Sequence, residues 1–184
     1  IPDSVTSIGE NIFRNCGELT SVTIPDSVTS IGNGAFYNCY SLKSVTIGNG
    51  VKSIGRGVFS YCESLKTVTI PDSVTSISYQ LFYKCYSLKS VTIGGSVTSI
   101  GDDAFRYCRN LTSVTIPDSV TSIGEYAFLS CNLTTVNVPC TWNFETPLYN
   151  FGSVTPTVYH VGKKYTAVNN SIHDSCSCGE EIRS

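Results

Sequence analysis

Six cysteines stand at a constant step of 23 residues: Cys16, Cys39, Cys62, Cys85, Cys108 and Cys131. Phe13, Phe36, Phe59, Phe82, Phe105 and Phe128 keep the same step, as do Ile24, Ile47, Ile70, Ile93 and Ile116, so whole blocks recur rather than one residue type. A block this short cannot enclose its own apolar side chains and must stack on its neighbours, which makes the chain a solenoid of about six coils without a central core. Ile1-Pro2-Asp3-Ser4-Val5 recurs as Ile24 to Val28, so the sequence starts inside a block and is expected to be a piece of a longer protein.

Two periods inside the block set its local structure. In Leu42 to Ile47 the apolar Val45 and Ile47 alternate with Ser44 and Thr46, and β-branched residues dominate, which predicts a strand. Pro25, Pro71 and Pro117 end that strand in three blocks and Gly48 and Gly94 in two others, with Asp26, Asp72 and Asp118 placed to start a turn. Val28 to Ile31 forms a second, shorter alternating run. Gly32 closes it, and one helical turn is expected around Ala35-Phe36-Tyr37-Asn38-Cys39. Phe36, Cys39 and Leu42 then recur at three-residue spacing and make an inward row. The expected class is therefore an α/β repeat with one parallel sheet face and short helical turns.

Stacking also decides the state of the cysteines. Equivalent residues of adjacent coils stand about 4.8 Å apart with parallel Cβ vectors, wider than the roughly 3.5 to 4.5 Å that a disulfide requires. Cys16 through Cys108 are thus expected to be buried free thiols acting as small apolar residues. A longer period overlies the 23-residue step: Tyr37 to Gly48 resembles Tyr83 to Gly94, and Ile-Pro-Asp-Ser-Val falls at Ile24, Ile70 and Ile116, which points to a 46-residue unit produced by duplication of a pair.

Leu-x-x-Val-x-Ile followed by Pro-Asp-Ser-Val-Thr-Ser-Ile-Gly and Ala-Phe-x-x-Cys resembles the 23-residue leucine-rich repeat of the Treponema pallidum type, known from BspA-like bacterial surface proteins. The likeness covers residues 1 to about 140. Ser27, Ser73 and Ser119 stand where plant and animal leucine-rich repeats carry Asn, so only this subtype fits. The resemblance implies a right-handed solenoid exported to the cell surface, and an adhesive role toward host matrix proteins or other cells. It carries over no catalytic residue.

The sheet's outward positions form polar columns, Ser21, Ser44, Thr67, Ser90, Ser113, Thr135 in one and Thr23, Thr46, Thr69, Thr92, Thr115, Asn137 in another. Such hydroxyls can bond laterally and keep the sheet solvated. A third column, Thr20, Lys43, Lys66, Lys89, Thr112, Thr134, sets three ammonium groups side by side, either splayed into water or awaiting an anionic partner. Around the cysteines the positions vary. Tyr37, Tyr40, Tyr61, Tyr79, Tyr83, Tyr86, Tyr107 and Tyr126 interleave with Arg14, Arg56, Arg106 and Arg109, the residue types that enrich protein interfaces. The candidate binding residues are Tyr37, Tyr40, Tyr61, Tyr83, Tyr86, Arg106 and Tyr107 on this edge and Lys43, Lys66 and Lys89 on the strand face. The bland alternative is that the tyrosines stack in columns and shield the Phe and Cys beneath.

The block loses a residue between Cys131 and Leu133, and Val136-Asn137-Val138-Pro139 is the last recognisable strand, so residues 1–139 read as the solenoid and 140–184 as a C-terminal cap and tail. Trp142, Phe144, Leu148, Tyr149 and Phe151 would cover the terminal coil, and Thr157 to Val161 with Lys164 to Val168 around Gly162-Lys163 would make a small hairpin. In the tail, His173, Cys176 and Cys178 lack the paired spacing of a zinc site, and Cys140 could pair with Cys176 or Cys178 outside the cell. No metal or other cofactor is expected. Both histidines, His160 and His173, lie outside the repeats and no nucleophile-and-base constellation appears, so the chain is not expected to be an enzyme. A formal net charge of -2 with 14% charged residues offers no broad basic field for nucleic acid, and no apolar stretch is long enough to cross a bilayer. Two function classes remain: an extracellular or cell-surface module, expected to be monomeric, that binds protein or glycan, or a stiff spacer that projects other domains.

Overall fold

The computed structural model describes residues 1–139 and, for the backbone alone, 157–160 and 163–166. Each coil gives one longer strand and one strand of two residues. The longer strands are β2 (Ser21–Ile24), β4 (Ser44–Ile47), β6 (Thr67–Thr69), β8 (Ser90–Thr92), β10 (Ser113–Thr115) and β12 (Thr135–Val138). The short ones are β1 (Ser7–Ile8), β3 (Ser30–Ile31), β5 (Ser53–Ile54), β7 (Ser76–Ile77), β9 (Ser99–Ile100) and β11 (Ser122–Ile123). Paired neighbours run parallel and in register, Val22 opposite Val45 and Val68 opposite Val91, and the ladder breaks between β8 and β10 on one side and between β5 and β7 on the other, so each side divides into two sheets. The alternation works as the sequence implies: Val45 and Ile47 are buried while Ser44 and Thr46 face out.

The helical turns do not form; among the described residues there is no helix. Alternate amides bond in different directions. Tyr37 N donates to Gly34 O at 2.9 Å and Cys39 N to Phe36 O at 3.3 Å within the coil, but Phe36 N and Asn38 N donate to Val58 O and Ser60 O of the next coil at 3.0 and 2.8 Å. An α-helix would consume every one of these donors internally and leave none to join coils. Left-handed backbone at Gly34 (φ 59) and Asn38 (φ 58) makes the switch, and the equivalent residues Asp103 (φ 55) and Tyr107 (φ 65) repeat it. Each coil therefore turns twice in tight steps.

Inside, like stacks on like. The phenyl rings of Phe13, Phe36, Phe59, Phe82, Phe105 and Phe128 run through the array with centroids 5.0 to 5.6 Å apart and planes within 14° of parallel. Beside them the thiols form a second column, each Sγ donating to the carbonyl of a Phe one coil back, as from Cys62 to Phe36 at 3.3 Å and from Cys85 to Phe59 at 3.2 Å. Cys39, Cys62, Cys85, Cys108 and Cys131 are buried free thiols. Cys16 departs from the expectation and is exposed, because it lies in the first coil and has a described neighbour on one side only. Burial pushes Cys39 up to about 11 and raises Cys62, Cys85 and Cys108 further above the usual thiol range.

At the strand end Pro25, Gly48, Pro71, Gly94 and Pro117 alternate through the middle coils, whereas Pro2 and Pro25, and Pro117 and Pro139, stand in successive coils. A Cβ on Gly48 would come within 2.6 Å of the Pro25 carbonyl carbon, and one on Gly94 within 2.6 Å of the Pro71 oxygen, so these coils fit only because the strand end lacks a side chain. The Pro-bearing coils also reach both ways. Asp26 and Asp72 accept from the amides of Asn49 and Gly95 in the following coil at 2.6 Å, while Ser73 and Ser119 donate to the carbonyls of Val51 and Val97 in the preceding one at 2.6 Å.

At the C-terminal end β13 (Thr157–His160) extends the sheet parallel to β12, and β14 (Lys163–Thr166) returns antiparallel with Lys163 opposite His160. Lys163 thus belongs to the second strand, and the residues between the strands are Val161 and Gly162 rather than Gly162 and Lys163. The aromatic cap segment and the Cys140, His173, Cys176 and Cys178 group lie outside the described residues. No described helix is long and apolar enough to cross a membrane.

Phe82→Ala removes a ring stacked on both sides and is expected to cost about 3 to 5 kcal/mol in chemical denaturation; an unchanged midpoint would refute the stacked core. The thiols set a pH limit. The folded pKa of Cys39, Cys62, Cys85 and Cys108 lies above the unfolded value of 9.0, so their stabilisation is complete below pH 9 and is lost as pH rises above it, the unfolded chain releasing protons that the fold retains. Each pH unit above 9 should cost about 1.4 kcal/mol for every thiol that stays protonated in the fold, a slope measurable in denaturant titrations up to about pH 11.

Candidate interaction surface

The variable tyrosines form one continuous stack along an edge of the solenoid. Tyr37 meets Tyr61 at 5.2 Å between centroids, Tyr61 meets Tyr83 at 5.6 Å and Tyr83 meets Tyr107 at 5.7 Å, with tilted to edge-on planes. These residues alternate between two columns, Tyr37 and Tyr83 in one and Tyr61 and Tyr107 in the next, so the ladder zigzags. Small residues make room for it. Ser60 occupies the first column between Tyr37 and Tyr83, and its buried hydroxyl donates to Gln80 O at 2.6 Å.

Cations lie along the stack. Arg14 sits 4.1 Å over the Tyr37 ring and Arg106 lies 5.0 Å from Tyr107 and 5.4 Å from Tyr126. Lys84 Nζ is 4.8 Å from the Tyr61 centroid, 5.3 Å from Tyr83 and 5.9 Å from Tyr107, and donates to the Tyr61 hydroxyl at 3.4 Å. That bond holds the ammonium pKa above its usual value, while burial raises the phenols of Tyr37 and Tyr83. Arg106 is fixed by Asp103 at 3.0 Å. The result is a half-buried aromatic and cationic surface whose parts hold one another in place.

The backbone beneath it is under strain. Tyr61 (φ 61), Lys84 (φ 60) and Tyr107 (φ 65) occupy a left-handed position that Asn15 and Asn38 fill in the first two coils. Asn tolerates that region, whereas a bulky side chain there costs on the order of 1 kcal/mol. Ring pairing returns about 0.5 to 1.5 kcal/mol per contact, which is enough to hold Tyr in place.

Sequence reasoning set Arg14 among the tyrosines but missed Lys84, whose ammonium lies over three of their rings. The signal was present in the alternation of Asn15, Asn38, Tyr61, Lys84 and Tyr107 down one column. Tyr40 and Tyr86 stand apart from the stack: Tyr40 lies over Gly17 and is 49% exposed, and Tyr86 packs under Arg109 at 5.2 Å. Lys43, Lys66 and Lys89 are on the strand face, all exposed.

On that face, among the described residues, hydroxyls do not bond one another laterally; Asn137 Nδ2 donates to Thr115 Oγ1 at 3.0 Å and Thr134 Oγ1 to Thr112 O at 3.1 Å. Coil spacing of about 4.8 Å leaves parallel hydroxyls too far apart for a bond of about 2.8 Å. On the other side of the coil, Thr29, Thr98 and Thr121 donate instead to the carbonyls of Thr6, Thr75 and Thr98. Among the described residues no group of three or more metal-ligating side chains gathers.

A family model described as BspA type Leucine rich repeat region matches residues 1–108 and 31–153, with six copies. The chain belongs to this family. It is 37% identical to a leucine rich cell surface protein of Faecalibacterium prausnitzii A2-165, over 90% of this chain and 48% of that one, with a TM-score of 0.57. A leucine-rich repeat protein from Bacteroides ovatus is 26% identical over 88% of this chain and 47% of that one, with a TM-score of 0.65. The BspA-type chain thus spans about half the length of these solved relatives. No curated protein matches it.

Because Asn already stands at the equivalent position one coil away, Tyr61→Asn relieves about 1 kcal/mol of backbone strain as it removes two ring contacts, and stability should fall by no more than about 2 kcal/mol. A loss of several kcal/mol in urea unfolding would show the tyrosine stack to be a structural element first.

Proposed function

We propose that this chain is the non-catalytic interaction module of a larger cell-surface or secreted protein, and that it binds a protein partner through the edge formed by Tyr37, Tyr61, Tyr83, Tyr107 and Arg106. One observation carries the reading: rigid aromatic rings and stacked cations are preassembled over four coils on a backbone that bends into a costly conformation to present them. Preassembled Tyr and Arg lose little side-chain entropy on binding and combine apolar area with hydrogen-bonding tips, the properties of interface hot spots. The likeness to a cell surface protein of Faecalibacterium supports the location. The repeat stack offers no nucleophile, base and orienting group in one place, which favours binding over catalysis.

The spacer reading is supported by the same packing, since a ladder of rings can exist simply to stiffen the edge. A Tyr61→Asn, Tyr107→Asn double variant separates the two. Matrix and cell-surface proteins captured by the native chain should bind the variant at least about tenfold more weakly, equivalent to about 1.4 kcal/mol, with a melting temperature shifted by only a few degrees. Equal capture by both forms would favour the spacer.

A further inference from the structure

We propose that the strand face is a second, separate binding surface, and that its ligand is a linear acidic polysaccharide lying across the coils along the row of Lys43, Lys66 and Lys89. The three side chains are exposed and make no ion pair among the described residues. They occupy one column in three successive coils, and the main chain beneath them is continuous: Lys43 N donates to Thr20 O, Lys66 N to Lys43 O and Lys89 N to Lys66 O at 2.8 to 3.2 Å. The step of about 4.8 Å places three positive charges within about 10 Å, close to the screening length of about 8 Å at physiological salt, so an anionic chain meets them as one field.

The fold does not require these lysines. Thr20 and Thr112 hold the same column in other coils with the same main-chain pairing, Thr134 N bonding to Thr112 O at 2.8 Å. Adjacent ammonium groups held at the coil step of about 4.8 Å would repel by about 0.9 kcal/mol in bulk water. No acidic residue stands in the three outward columns of the sheet to offset them. Asp26 and Asp72 are turned to amides of the next coil, and Glu63, three residues before Lys66, makes no ion pair with it.

The class of polyanion follows from what flanks the lysines. Unbonded hydroxyls stand on each strand beside them, such as Ser44 and Thr46 or Ser90 and Thr92, free to exchange hydrogen bonds with sugar hydroxyls. Among residues 20–137 the strand face carries no aromatic or Arg side chain. A single-stranded nucleic acid needs stacking platforms for its bases, and those lie on the other edge of this chain, so the strand face is poorly built for nucleic acid. Lys as a compact charge also sets no fixed angle on its partner, which suits acid groups recurring along a flexible glycan.

The test is equilibrium binding to heparin and to polygalacturonate, with neutral dextran, oligo-dT and polyglutamate as comparison ligands. At least one acidic polysaccharide should bind at about 50 mM salt and weaken by at least about tenfold at about 200 mM, as release of counterions from about three contacts requires. The Lys43→Thr, Lys66→Thr, Lys89→Thr triple variant, which copies the residue of neighbouring coils and should melt as the native chain does, is expected to lose at least about tenfold in affinity and most of the salt dependence. Tyr61→Asn with Tyr107→Asn should leave this binding intact, which separates the inference from the fate of the tyrosine edge. Absence of polysaccharide binding at low salt, equal binding by the lysine variant, or binding of oligo-dT or polyglutamate as tight as that of the polysaccharides would overturn it.

Discussion

Main-chain hydrogen bonds between coils place every residue about 4.8 Å from its own counterpart, and the rest of the molecule is a response to that one constraint. Each residue type has to answer what it does when its nearest neighbour is itself. Phenyl rings answer well, because offset stacking at 5.0 to 5.6 Å is close to the coil step. Thiols answer by turning to a carbonyl of the coil before, a Phe oxygen that already accepts one amide and has a second lone pair to offer. Most strand-face hydroxyls answer by standing unbonded, while Thr134 donates to Thr112 O and Thr115 accepts from Asn137. At the strand end the chain follows Pro25 and Pro71 with Gly48 and Gly94, where the missing Cβ leaves the space.

Much of this was legible in the sequence because a repeat states its own register. The inward row of Phe, Cys, Leu, Val and Ile, the two extended sides and the free thiols all follow from columns, and the buried residues are the ones the columns imply. The helical turn was misread for a physical reason. Three-residue spacing of Phe36, Cys39 and Leu42 fits a helix, but it equally fits consecutive tight turns with inward residues at every third place. The deciding signal lay elsewhere: Asn11, Gly34 and Gly57 in one column and Asn15 and Asn38 in another are residues that accept left-handed backbone. Tyr61, Lys84 and Tyr107 hid that signal by occupying the second column in the coils that follow.

The tyrosine stack was harder to see because it does not obey the 23-residue column. Tyr37 and Tyr61 are separated by 24 residues and Tyr61 and Tyr83 by 22, so the rings touch only when two adjacent columns are read together. A vertical column of tyrosines would pair rings as the phenylalanines do, nearly flat on one another. Shifting between columns turns the planes to between 50° and 78° and opens a gap at the ring tips that Lys84 fills. The departure from strict repetition is what creates a chemically distinct surface.

The two faces thus differ in kind. Where the repeat is kept, a surface can present only one chemistry at a fixed step, and the matching ligand is one that is itself repetitive. A row of ammonium groups at the coil spacing suits a polymer with recurring charge and discriminates little among the sequences of such polymers. Where the repeat is broken, as from Arg14 through Tyr37, Tyr61, Lys84 and Tyr107 to Arg106, aromatic and cationic side chains mix along the edge, and a folded protein surface is the kind of partner that can use the difference. A solenoid that carries both can combine weak, salt-sensitive attachment to a polymer with selective contact to a protein, each on its own side, because neither set of residues takes part in the inward row that holds the coils together.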